Sequence, residues 1–200
     1  QEEQYDAVLK KVLQWKDRIR GSTLSSDERY IAYDSYLKKS LQYILASTNF
    51  STNHCHDIDK HIAPILLNAA NTQRNCSRVM LYCPEKYGGL GFANLWSLQG
   101  IEKLRFFIMH LRRHDTTGKL LRICMRWHQL EAGVSLPFYR YEYTFIAQIL
   151  TPTWIKHLYE FMSSCHATFV EHDQWVYKAP RENDFFLQEL IQLSNLPNDD

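Results

Sequence analysis

The sequence predicts a mostly α-helical protein with at most one or two short strands. Three observations carry that expectation. Apolar residues recur at three- and four-residue spacing through most segments, the period of one helix face. Helix-start signals stand where such segments begin, above all the capping box formed by Ser25 and Glu28. No alternation of strand and helix patterns is present that would build a parallel sheet.

In chain order, residues 2 to 20 carry Tyr5, Val8, Leu9, Val12, Trp15 and Ile19 on one helical face, and Gly21 ends the pattern. The capping box then opens a second helix with Tyr30, Tyr33, Leu37, Leu41 and Ile44 at helical spacing. A third runs from about Ser51 through Cys55, Ile58, Ile62, Ile65 and Ala69, with Pro64 expected to kink or break it. Residues 71 to 77 are a polar loop. The next stretch, "RVMLYCP", is short, apolar and β-branched near its start, so strand and helix both stay open until Pro84 and the glycines stop it. From about Asn94 to His114 a long helix shows Leu95, Leu98, Ile101, Leu104, Ile108 and Leu111. Another, about Gly118 to Leu130, shows Leu120, Cys124 and Trp127. "GVSLPF" is a turn, and Pro152 suits the first turn of a helix carrying Trp154, Leu158, Phe161 and Cys165. An extended piece, "DQWVYKAP", precedes a last helix from about Asn183 to Leu193.

A chain of 200 residues makes one large domain or two small ones and can bury a real core. An aromatic fraction of 14% argues against disorder. The five cysteines are odd in number, scattered and without a C-x-x-C pair, which favours free thiols in a reducing compartment. Two glycosylation sequons, at Asn49 and Asn75, are discounted because nothing else suggests secretion. With no signal peptide and no long apolar run, an intracellular location is expected, nucleus or cytoplasm, without a membrane span. The chain begins at Gln1, directly in a helical pattern, and is expected to be a piece of something longer.

Gly88, Gly89 and Gly91 lie within four positions of one another, next to Lys86. A phosphate loop needs its lysine after the last glycine and followed by Ser or Thr; here the lysine comes first. The dinucleotide pattern is also broken, since Asn94 stands where its last glycine belongs. The three glycines therefore suggest a structural turn. "HCHDIDKH", residues 54 to 61, could place His54 with Asp57, or Asp57 with His61, on one face as metal ligands stand. No H-E-x-x-H and no second ligand pair accompanies them, so the favoured reading is a solvated helix start with Cys55 and Ile58 inward. No nucleophile motif and no paired aspartates for catalytic magnesium are visible. Neither catalytic residue, metal nor cofactor is assigned.

Charge is balanced overall but not locally. From Glu102 to Glu131 seven bases, Lys103 among them, face three acids, a net of +4; from Glu171 to Asp200 two bases face seven acids, a net of −5. Arg105, Arg112, Arg113, Lys119, Arg122 and Arg126 are the candidate phosphate contacts, set largely opposite Leu104, Ile108 and Leu111. A solvated charged face fits the same spacing, and the spacing alone does not separate the two.

Longer strings add a resemblance. "LYCPEKYGGLGFANLWSLQGI", "HLRRHDTTGKLLR" and "QLEAGVSLPF" resemble the region C-terminal to the polymerase domain in LINE-like (non-LTR) retroelement reverse transcriptases. Upstream, "WKDRIRGSTLSSDERYIAYDSYLKKSLQYIL" resembles the helical segment after the palm, and "PRENDFFLQEL" a helix near the end of such proteins. The resemblance implies a thumb-like helical bundle over residues 1–70, a glycine-containing connector over 71–93, and a C-terminal helical subdomain over 94–200, with Gly88, Gly89 and Gly91 as the hinge. It also implies an upstream polymerase domain of the same protein, an RNA-directed DNA polymerase whose catalytic aspartates would lie outside this chain. The partner would be RNA, DNA or an RNA–DNA duplex, gripped through phosphates. Relatives carry a basic or cysteine-rich tail further on, whereas this chain ends in the acidic "NLPNDD". The other reading is a helical protein-interaction or structural module, or a decayed element fragment without activity.

Overall fold

A computed structural model describes residues 2–73, 75–113, 115–134 and 138–169. These are mostly α-helical, and no strand forms among them. The extended piece and last helix expected beyond residue 170 lie outside the described residues. The chain divides into two compact units, residues 1–104 and 105–200.

In the first unit, α1 (Glu2–Arg20) buries Val8, Val12, Trp15 and Ile19, the face its periodicity predicts. The capping box closes as expected: Ser25 Oγ accepts the Glu28 N–H and the Glu28 carboxylate accepts the Ser25 N–H at 2.7 Å. It starts α2 (Ser26–Ala32), which passes through a π-helical turn (Tyr33–Lys38) into α3 (Lys39–Leu45). Within that turn the Ser35 hydroxyl donates to the Ile31 carbonyl, the acceptor an α-helix reserves for the Ser35 N–H. Then α4 (Thr52–Ala69), N-capped by Ser51, buries Cys55, Ile58, Ile62, Ile65 and Ala69. Pro64 does not break it. One lost hydrogen bond is outweighed by apolar burial on both sides of the proline.

"RVMLY" proves helical, as α5 (Arg78–Tyr82), capped by Ser77. A 3₁₀ turn (Glu85–Tyr87) and the glycines follow, and the chain folds back on α5: Leu90 N–H donates to Met80 O, Phe92 N–H to Leu81 O and Gly91 N–H to Cys83 O. Leu81 joins the first unit's core, with Tyr82, Leu90 and Phe92 packed against it. The expected connector is thus part of the first unit. The division falls later, after Leu104, inside α6 (Leu95–Arg113), so the glycines are not where the units separate.

The row Leu95, Gln99, Lys103, Phe107, Leu111 is buried along α6, one residue every four. Two of those five positions are polar. Gln99 accepts the Phe50 N–H at 3.1 Å and donates to the Phe50 carbonyl at 3.0 Å, while Lys103 donates to Asn49 Oδ1. Ile101, expected inside, is 41% exposed.

In the second unit, Asp115 N-caps α7 (Thr116–Ala132), accepting the Gly118 N–H at 2.8 Å, and a left-handed Gly133 closes it. A 3₁₀ turn (Phe138–Arg140) and the short α8 (Tyr143–Ile146) lead to α9 (Trp154–Ser164). Its N-cap is Thr153, so Pro152 precedes the helix instead of sitting in its first turn. Ile146, Leu150, Ile155, Leu158 and Phe161 are buried here, and Tyr143 meets Tyr159 edge-on at 5.3 Å.

Candidate nucleic-acid interface

Arg105, Arg112 and Arg113 are exposed on α6, and Lys119 and Arg126 are exposed on α7. Arg105 to Arg112 and Lys119 to Arg126 each span seven residues, close to two turns, so each pair lies along one side of its helix about 10 Å apart. Arg122 differs from the rest. It is half-buried, and its Nη2 donates to the Leu111 carbonyl at 2.9 Å, closing one of the open carbonyls at the end of α6. Lys103, counted with the basic stretch from sequence, is fully buried in the first unit and belongs to no surface. Of the apolar residues expected opposite the bases, Leu111 is buried and Leu104 and Ile108 are half-buried; Phe107 fills the core position beside them.

On α7 the predicted face is reversed. Leu120, Cys124 and Trp127 point to solvent, while Gly118, Leu121, Met125, His128 and Gln129 are buried. Leu120, Ile123, Trp127 and Leu130 are between 51% and 61% exposed, and helical geometry interleaves them with Lys119 and Arg126. The exposed side of α7 is therefore both basic and apolar, and it carries an indole.

Sequence reasoning missed what holds α7 in place. His128, fully buried, meets Glu131 Oε2 at 3.0 Å through Nδ1 and Thr153 Oγ1 at 2.6 Å through Nε2. Glu131 also accepts the Thr151 N–H at 3.1 Å and its hydroxyl at 3.2 Å. Burial pushes the Glu131 carboxyl up, but the hydrogen bonds from His128 and Thr151 together hold it below its usual value. Hydroxyl, imidazole and carboxylate follow one another as in a nucleophilic site. Thr153 Oγ1, however, also accepts the Lys156 N–H as the cap of α9, and the histidine is sealed from solvent, so the network fastens α7 to α9. The i, i+3 spacing of His128 and Glu131 was its one sequence signal.

The glycine turn is structural. The Leu90, Gly91 and Phe92 amides that a phosphate loop would aim at a ligand are spent on carbonyls of residues 80 to 83. Gly88 and Gly91 hold left-handed backbone, φ +81° and +68°. Gly89 is needed for space, since a Cβ there would stand 2.0 Å from the Cys83 carbonyl oxygen.

The cluster at residues 54 to 61 is dispersed by packing. His54 stacks on Tyr5 at 4.6 Å between ring centroids, Asp57 accepts from Tyr5 Oη at 2.7 Å, and His61 meets Lys16 Nζ at 3.2 Å. Asp59 turns away to accept the Leu95 N–H at 3.0 Å. Among the described residues no group of three or more His, Cys, Asp or Glu is placed to hold a metal ion, and no helix is long and apolar enough to cross a membrane.

Comparison of the chain with protein-family models, with curated proteins and with solved structures returns no match.

Proposed function

We propose that this chain is a non-catalytic thumb and post-thumb segment of a retroelement reverse transcriptase-like protein, gripping template–primer nucleic acid through its phosphates. The observation that carries the reading is the exposure of five bases, Arg105, Arg112, Arg113, Lys119 and Arg126, on two consecutive helices. The strings quoted above, which resemble LINE-like elements, point the same way. Phosphate contacts of this kind are indifferent to sequence and weaken steeply with salt. Trp127, exposed next to Arg126 on α7, adds a ring on which an unpaired base can stack.

The experiment is a filter-binding titration of RNA–DNA hybrid, duplex DNA and RNA against salt concentration. Arg112→Ala and Arg126→Ala should each lower the slope of log affinity against log salt by about one and weaken all sequences alike. Arg122 is left out of the set, because its loss also opens the end of α6. Absence of binding to all three nucleic acids at low salt would remove the reading. A second reading, a helical protein-interaction module, is favoured by the exposed apolar row Leu120, Ile123, Trp127 and Leu130. It predicts unchanged salt slopes in both arginine variants.

A further inference from the structure

The first unit contains a cleft of about 280 Å³ lined by Ile19, Arg20, Arg29, Pro64, Ile65 and Asn68. Two of these six residues are arginines, and among the described residues that line it there is no carboxylate. Arg29 reaches from α2 to α4, where its Nη1 donates to Asn68 Oδ1 at 3.0 Å. Its Nε is buried and meets no acceptor among the described residues. A charged group left with a buried N–H unpaired bears the full desolvation penalty of that N–H, so an acceptor brought by a ligand gains correspondingly. With Nη1 engaged by Asn68, the remaining edge of the guanidinium is the one made by Nε and Nη2. Its two parallel N–H groups match two oxygens of one oxyanion. Arg20, in the last turn of α1, adds a second cation to the same wall. Two cations without a counter-carboxylate suit a dianion better than a single charge. The volume is several times the roughly 30 Å³ of a water molecule, and Ile19, Pro64 and Ile65 offer an apolar side to whatever carries the anion.

We infer that this cleft binds a phosphate monoester. Arg29 takes two phosphoryl oxygens along its Nε and Nη2 edge, Arg20 balances the second negative charge, and the apolar side seats the attached sugar. A free sugar or nucleoside monophosphate and the 5′-phosphate end of a strand present the same chemistry. The site does not rest on the nucleic-acid interface proposed above, since none of its residues lies on α6 or α7.

The test is NMR of the intact chain, following the Arg29 Nε–H signal, assigned by its disappearance in Arg29→Lys. Ribose 5-phosphate, ribose, a 5′-phosphorylated oligonucleotide and its 5′-hydroxyl counterpart are titrated at constant ionic strength, with chloride as the control anion. A saturable shift with ribose 5-phosphate, absent with ribose and chloride, assigns a free monoester. Saturation only with the phosphorylated oligonucleotide assigns a strand end. Arg20→Gln, at the exposed edge of the cleft, should weaken saturation about tenfold, read also at the Asn68 amide, at an unchanged melting temperature. Arg112→Ala should leave it untouched, which separates this site from the basic helices. A signal that none of the phosphates moves, that drifts linearly without saturating, or that chloride moves equally would overturn the inference.

Discussion

Asp59 shows how packing can override the ordinary chemistry of a side chain. Burial beside Tyr33, Tyr82 and Cys55 pushes its carboxyl up to about 6 from 3.8, although the Leu95 N–H and the charge of Arg78 both favour the ionised form. Desolvation wins because, among the described residues, the carboxylate takes one backbone N–H and no direct ion pair. An acid whose folded value lies above its unfolded one contributes stability that is complete below about 3.8 and lost as pH rises through 6. At neutral pH the ionised form therefore costs about 2 kcal/mol after allowance for partial solvent screening. Asp59→Asn keeps an acceptor for Leu95 and removes the charge. It should raise the melting temperature at pH 7, and its advantage over the wild type should vanish by pH 4. Thermal melts of both proteins across that range check this; equal melting temperatures at pH 7 would contradict it.

At the scale of elements, the glycine turn is set by close approach as much as by backbone freedom. Gly88 has left-handed backbone with nothing within 4 Å of a Cβ, so Gly88→Ala meets only the conformational cost of about 1 kcal/mol. Gly89→Ala would drive its methyl into the Cys83 carbonyl, which also accepts the Gly91 N–H. It should displace the return over α5 and cost more than about 2 kcal/mol. Urea unfolding of the two variants gives the order, and a phosphate-loop role for these glycines would not produce it. The two longest helices of the basic region share a different feature. Both α6 and α7 place polar residues on their buried sides, Gln99 and Lys103 on one and His128 and Gln129 on the other. Pattern reading therefore weighted the wrong side of α7.

For the whole molecule, a net charge of +1 hides opposed regions. Residues 171 to 200 carry a net of −5, and residues 102 to 131 carry +4. On the proposed reading, acidic residues on the same chain would compete with nucleic-acid phosphates for the exposed arginines at high effective concentration. Replacing Glu171, Asp173, Glu182, Asp184 and Glu189 by their amides, in the full chain, should strengthen binding to RNA–DNA hybrid several-fold at low salt. The gain should shrink toward 1 M salt, where screening reaches about 3 Å. Filter binding of the two proteins across salt measures it. An unchanged affinity at low salt would show that the acidic stretch does not compete with the bases.

By itself the sequence determined α1 and the start of α2, because there apolar periodicity, a capping box and Gly21 all agree on the same boundaries. It also pointed away from a phosphate loop at the glycines, since the lysine stands on the wrong side of them. Tertiary structure decided the rest. It continued α4 through Pro64, because burial on both sides outweighs one missing bond, and it made "RVMLY" a helix, because the returning chain satisfies the carbonyls at its end. It moved Lys103 from the basic surface to the core and tied Arg122 to Leu111, leaving five of the six expected arginines and lysines exposed. The cleft between Arg20 and Arg29 had no sequence signal at all. Its residues come from three helices and up to 49 positions apart, and only packing brings α1, α2 and α4 together. Periodicity sees one helix at a time, so a surface assembled from several, or a buried face filled by Gln and Lys, is decided only by the neighbours that satisfy it.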